Sequence, residues 1–180
     1  MFHYYIKPEV IPNLLTEDEI EYIKKESIDK LKPSSTVCSE HVLVSEFCRL
    51  PFCPIIRSIV ERCLSRIDRP IENCEELQVV RYKLGGFMVP HQDVFDQDKN
   101  KRLYTFIIAL NDDYEGGETS FPNLDVKYKL KKGSVLFFHT LDNYEFRTNM
   151  ALHGGESVKS GEKWVCNLWV HEHPGPKYSF

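Results

Sequence analysis

The stretch from Leu77 to His171 constrains the fold most, because it breaks into short β-rich runs punctuated by Gly, Pro, Asn and Asp. Eight candidate strands emerge, at 77–84, 87–94, 103–110, 118–121, 126–130, 134–139, 150–153 and 163–171. Evenly spaced short strands in one domain point to a sandwich or barrel. The preceding sequence has a different period. Thr16 and Glu19 form a capping-box pattern, Ile20, Ile23 and Ile28 recur at roughly helical spacing, and Pro33 closes the run, which predicts a helix over 17–32. Residues 41–47 are read as a possible strand. Ile55, Ile56, Ile59, Val60, Cys63, Leu64 and Ile67 mark the face of a second amphipathic helix over 52–68. The expected fold is mainly β with two N-terminal helices packed on one outer sheet face.

At 180 residues, 42% of them hydrophobic, the chain suffices for one core and is too short for two. We expect a single domain, with 1–74 as helical support and 75–173 as the β core. The net charge of −4 is spread over mixed-sign segments, which argues against a nucleic-acid partner. Residues 1–10 contain no apolar run and no later run approaches a membrane span, so neither a signal peptide nor a membrane partner is expected, and the chain reads as soluble and intracellular. The six cysteines, Cys38, Cys48, Cys53, Cys63, Cys74 and Cys166, lack paired metal spacing and read as reduced, partly buried thiols.

His91-Gln92-Asp93 follows Pro90 in a strand-like run, where a period of two puts the His and Asp side chains on one face. A third donor must come from elsewhere. His153, 60 residues beyond Asp93, lies in a separate short run before Gly154-Gly155. Spacing alone leaves His139 open as well, whereas His3 and His41 read as surface or capping residues and His171 and His173 as strand-end residues. Two imidazoles and a carboxylate would occupy one face of an octahedral ion and leave positions open. In the last strand, alternation puts Lys163, Val165, Asn167, Trp169 and His171 on one face and Trp164, Cys166, Leu168 and Val170 on the other. If the second face packs in the core, Lys163 points inward, where an ammonium needs an anion. Tyr82, and with it Thr105, could add hydroxyl groups to the same anion.

Taken in order, Tyr82-Lys-Leu-Gly85, His91-Gln-Asp93, Arg102-Leu-Tyr-Thr105, Gly116-Gly-Glu-Thr-Ser-Phe-Pro122, Leu152-His-Gly154 and Gly161-Glu-Lys-Trp164 through Trp169-Val-His171 closely resemble the prolyl 4-hydroxylase family of Fe(II)- and 2-oxoglutarate-dependent dioxygenases. The resemblance implies a double-stranded β-helix, or jelly roll, and an enzyme that uses Fe(II), the cosubstrate 2-oxoglutarate and dioxygen (O2), with ascorbate as a companion reductant. It implies iron on His91, Asp93 and His153, the cosubstrate carboxylate on Lys163 assisted by Tyr82 and Thr105, and Arg102, Trp169 and His171 on the cosubstrate or substrate side. A protein or peptide substrate follows, peptidyl-proline first, with another protein side chain or a free amino acid as alternatives. One departure stands out: where the family usually carries a tyrosine near the substrate proline, this chain has Met88, and a thioether cannot donate a hydrogen bond. Residues 94–101 and 140–149 are candidate lid segments. Gly116-Gly117 reads as a backbone device. The rival classes are a non-catalytic jelly-roll binding module and a metal-dependent hydrolase.

Overall fold

The structure, a computed structural model, describes residues 2–34 and 45–175. His41 and Cys38, with most of the strand expected at 41–47, lie outside the described residues. In chain order the elements are β1 (Glu9–Ile11), α1 (Glu17–Ile28), β2 (Lys32–Pro33), β3 (Ser45–Leu50), α2 (Pro54–Leu64), β4 (Leu77–Tyr82), β5 (Met88–His91), β6 (Arg102–Ala109), β7 (Glu115–Gly116), β8 (Thr119–Phe121), β9 (Val126–Tyr128), β10 (Val135–His139), β11 (His153–Gly155), β12 (Val158–Ser160) and β13 (Lys163–His171).

Both halves of the capping box form in α1, with Thr16 accepting from the Glu19 amide and Glu19 accepting from the Thr16 amide. The helix stops at Ile28, short of the expected Lys32. Pro33 disfavours helical backbone at Lys32, and the pair instead extends against Phe47 and Glu46 of β3. The second helix starts at Pro54, where a missing amide costs nothing, and ends at Leu64 instead of Asp68. Ile56, Ile59, Val60, Cys63 and Leu64 form its buried face, whereas Ile55 is exposed.

Seven strands form one sheet in the order β1-β10-β6-β13-β4-β3-β2, and four form another in the order β5-β11-β8-β9. A two-stranded pair, β12-β7, completes the set. This is the jelly roll expected from the sequence. The large sheet separates two apolar clusters by strict alternation. Trp164, Cys166, Leu168 and Val170 of β13, with Leu77 and Val79 of β4 and Phe106 and Ile108 of β6, pack with Ile23, Ile59 and Val60 of the helices. Val165, Val80, Tyr82 and Ile107 face the other way and meet Phe121 and Phe138. Each fully buried Ile or Val contributes roughly 1.5–3 kcal/mol, so the helices hold the back of the sheet rigid while its front remains free to build a site. Lys163 falls on the front.

Most strand bounds differ from the sequence reading by one to three residues, and the run expected at 87–94 is a strand only over Met88–His91, which leaves Asp93 beyond its end. The segment 150–153 is not a strand; Asn149–Ala151 forms a 3-10 turn, and the strand begins at His153. The short strands β1, β7 and β12 were too brief to show a period. At Gly116, φ is +67° and a Cβ would stand 2.3 Å from the Ser157 carbonyl oxygen, so the β7–β12 pairing requires glycine there. All five described cysteines are free. No helix among the described residues is long and apolar enough to cross a membrane.

Candidate active site

Strands β5 and β11 run antiparallel with His91 opposite His153, and Asp93 follows two residues after His91. Nδ1 of His91 lies 2.9 Å from the Val89 carbonyl oxygen, and Nδ1 of His153 lies 3.0 Å from that of Ala151. A carbonyl only accepts, so each ring carries its proton on Nδ1 and presents a free lone pair at Nε2. Those two nitrogens converge on Asp93, at 3.4 Å from Oδ1 for His91 and 3.6 Å from Oδ2 for His153. One donor atom from each residue lies within 4.8 Å of the others, the only such group of three among the described residues. His139, left open as a third donor by spacing, packs against Tyr104 and Phe137 instead.

Electrostatics fit a cation at this point. Burial alone would raise the Asp93 carboxyl, but the adjacent His91 and His153 rings and the hydrogen bond from the Thr105 hydroxyl hold it well below the usual carboxylate range. Burial pushes the His153 imidazole down, keeping its lone pair available. At His91 burial also lowers the value, but Asp93 outweighs it and the ring is shifted up. Asp93 and His153 are buried while the His91 side chain is 37% exposed, so the group opens on the His91 side. Two imidazole nitrogens and one carboxylate oxygen on one face, with the opposite face open, suit Fe(II).

The three side chains open onto a cavity of about 280 Å³, which Tyr82, Met88, Thr105, Lys163 and Trp169 also line. Lys163 stands opposite Tyr82 across β13 and β4, is 6% exposed, and has no carboxylate in ion-pair contact among the described residues. Burial pushes its ammonium down to about 8, with Lys129 adding to the shift and Glu118 opposing it. Such a group calls for an anionic ligand. Burial also pushes the Tyr82 phenol up to about 12, so it remains a donor. Gly117 makes room for this arrangement: a Cβ there would stand 2.9 Å from the Tyr114 ring and 3.2 Å from Cδ of Lys163.

Other expected residues are placed differently. The Thr105 hydroxyl donates to Asp93 Oδ2 at 2.7 Å, so it orients the carboxylate of the triad. Arg102 and His171 do not line the cavity. Both are drawn to Glu75, at 2.6 Å and 2.9 Å, and Arg49 reaches its other oxygen at 3.1 Å. The Arg102 guanidinium also stacks 4.2 Å from the centroid of the Trp169 ring, which does line the cavity and whose buried N–H has no hydrogen-bond partner among the described residues. Glu75 was not singled out in the sequence, since its partners are scattered over residues 49, 102 and 171. Burial would raise its carboxyl, but His171 and Arg102 bring it down to about 2. The corresponding stability is present above the ordinary value of 4.5 and is lost as pH falls through about 2. Glu75→Gln should therefore cost about 3 kcal/mol at pH 7 and flatten that part of an acid-unfolding curve followed by circular dichroism.

Gln92, between the two β5-side triad members, is buried with its side chain held by Arg147 at 2.5 Å and Asn149 at 3.2 Å. These two bonds tie the candidate lid segment 140–149 to the triad, and the Leu141–Arg147 bridge closes that segment on itself.

Comparison with known proteins agrees with this geometry. The 2OG-Fe(II) oxygenase superfamily matches residues 77–171. The provisionally named prolyl 4-hydroxylase of Acanthamoeba polyphaga mimivirus is 31% identical over 182 residues, covering 93% of this chain and 75% of the relative. Prolyl 4-hydroxylase 1 of Arabidopsis thaliana is 29% identical over 205 residues, covering 93% and 72%. Among solved structures, a viral collagen prolyl hydroxylase from Paramecium bursaria Chlorella virus-1, determined as a 2-oxoglutarate complex, superposes with a TM-score of 0.75 at 31% identity, covering 91% of this chain and 94% of that one. With this family match over more than half the chain, the same fold, and a triad and basic pocket suited to iron and a dicarboxylate, the protein belongs to the 2OG-Fe(II) oxygenase superfamily as a prolyl 4-hydroxylase-like, 2-oxoglutarate-dependent dioxygenase.

Proposed function

We propose that the chain hydroxylates peptidyl-proline, with Fe(II) held by His91, Asp93 and His153 and the distal carboxylate of 2-oxoglutarate held by Lys163 and Tyr82. The observation that carries the site assignment is a single cavity that joins an open two-histidine, one-carboxylate face to a buried ammonium with no carboxylate in ion-pair contact among the described residues. Iron and 2-oxoglutarate together supply the oxidising chemistry, consuming O2, releasing succinate and carbon dioxide, and inserting one oxygen atom into a substrate C–H bond. The chain's own groups bind and orient. The backbone carbonyls of Val89 and Ala151 fix the imidazole tautomers, Thr105 fixes the rotation of the Asp93 carboxylate, and the Tyr82 phenol remains protonated beside Lys163. Phe121 and Phe138 pack on His153, shielding the closed side of the triad from water. Ascorbate serves as the reductant that keeps iron ferrous. The whole chain is read as one soluble, intracellular oxygenase unit, residues 1–74 supporting the β core of 75–173.

The prolyl reading rests on the names of the relatives, including collagen prolyl hydroxylase. Met88 favours keeping a second reading, another protein side chain or a free amino acid, because its thioether cannot supply the donor of a phenol. Incubation with Fe(II), ascorbate, 2-oxoglutarate and a panel of proline-rich peptides should give peptides heavier by one oxygen on proline, with an equal amount of succinate. Succinate without any modified proline peptide moves the substrate to the second reading. No succinate in any mixture would favour the binding-module or hydrolase reading.

A further inference from the structure

We infer that Met88 is a modification site: without a peptide substrate, the enzyme transfers oxygen to its own Met88 thioether and forms the sulfoxide. The inference rests on the proposed iron site and adds to it a target inside the chain. On β5 and β11 the paired positions are His91 with His153 and Met88 with Gly155. Three residues of β5 are thus matched by two of β11, the signature of a β-bulge around Val89 and Pro90. In a regular strand, residues three apart face opposite sides. The bulge removes that opposition, so Val89 and Pro90 are exposed while Met88 and His91 line the same cavity. Proline is suited to this place, since a bulge requires no ladder amide from it.

Met88 therefore sits one cross-strand pair along from the two triad histidines, roughly 7 Å by the rise of two strand residues. Opposite it stands Gly155, which has no side chain to cover the thioether; a Cβ there would be only in ordinary contact, 3.6 Å from that of Met88. Met88 supplies the only sulfur among the cavity-lining residues, and a thioether on three rotatable bonds is both adaptable and readily oxidised. The step balances. The C1–C2 bond of 2-oxoglutarate breaks to release carbon dioxide; one atom of O2 enters the new succinate carboxylate, and the other bonds to sulfur. Cosubstrate and thioether each give up two electrons, O2 takes up four, and no proton is gained or lost. The sulfoxide puts a polar acceptor where an apolar group stood, changing the cavity that a peptide must enter.

The iron-loaded enzyme with 2-oxoglutarate and isotopically heavy O2, without peptide, should acquire heavy oxygen on Met88. Met150, 43% exposed and outside the cavity lining, is the internal control. Peptide mass spectrometry should find at least about tenfold more label on Met88, whereas hydrogen peroxide alone should oxidise the more exposed Met150 first. In Met88→Leu the label should vanish without moving to Met150. Succinate formation with an unlabelled Met88, equal labelling of both methionines, or labelling that persists without 2-oxoglutarate would each overturn the inference. An absence of succinate here, with succinate formed once peptide is added, would overturn the inference and leave the oxygenase reading standing; no succinate with peptide either would remove both.

Discussion

Replacing His153 by alanine is expected to lower iron-dependent turnover of 2-oxoglutarate by at least about 10³-fold, because the bound metal supplies several kcal/mol and each 1.36 kcal/mol is a factor of ten. The Nε2 lone pair of His153 is held toward Asp93 by the Ala151 carbonyl on its other nitrogen, and no further imidazole among the described residues joins His91 there to replace it. Anaerobic titration with Fe(II) should show the affinity falling along with turnover. His139→Ala is the matched control: His139 also packs among aromatic rings but lies outside the triad, so iron affinity should be unchanged. Circular dichroism should show His153→Ala still folded, since its burial disfavours charge and what is lost is ring packing on His91, Phe121 and Phe138 and one hydrogen bond to the Ala151 carbonyl. Unchanged iron affinity in His153→Ala would remove the triad assignment.

The sequence read most clearly where one period ran uninterrupted. The last strand was expected at 163–171 and is found at Lys163–His171, and its nine residues separate by alternation, Trp164, Cys166, Leu168 and Val170 toward the helices and Lys163, Asn167 and Trp169 toward the cavity. His91 and Asp93 were singled out by a strand period that the structure does not carry through, since β5 is bulged and ends at His91 with Asp93 in the bend beyond it, and choosing His153 over His139 required the family's order of motifs. What remained hidden depended on distant partners. Glu75 acquires its meaning from Arg49, Arg102 and His171, and those contacts draw Arg102 and His171 away from the cavity. The bulge in β5 is likewise a property of a pair of strands. In the sequence Met88 was only a departure from a family pattern; β11 turns it into a neighbour of the triad.

Lys163→Met is expected to have opposite effects on stability and on catalysis. The folded state depresses the lysine from 10.5 to about 8, so its contribution to stability is fully present above 10.5 and is lost as pH falls through about 8. At pH 7 the ligand-free protein therefore carries a buried ammonium that costs on the order of 3 kcal/mol. Methionine retains much of the stem and removes the charge, so the ligand-free variant should gain about 1–2 kcal/mol, roughly 3–6 °C in Tm, at pH 7. Its stability should also lose the rise from pH 7 to 9 that Lys163 gives the parent. The same substitution should raise the KM for 2-oxoglutarate about 100-fold, the loss expected for a charge-assisted hydrogen bond of about 2.7 kcal/mol. A carboxylate bound beside Lys163 relieves the buried charge, so 2-oxoglutarate should raise the Tm of the parent and leave that of Lys163→Met nearly unmoved. Calorimetry and steady-state kinetics on the same preparations separate this account from a merely structural role. A lysine that only held the fold together would lower Tm when replaced, and a lysine already paired within the protein would leave the response to 2-oxoglutarate intact.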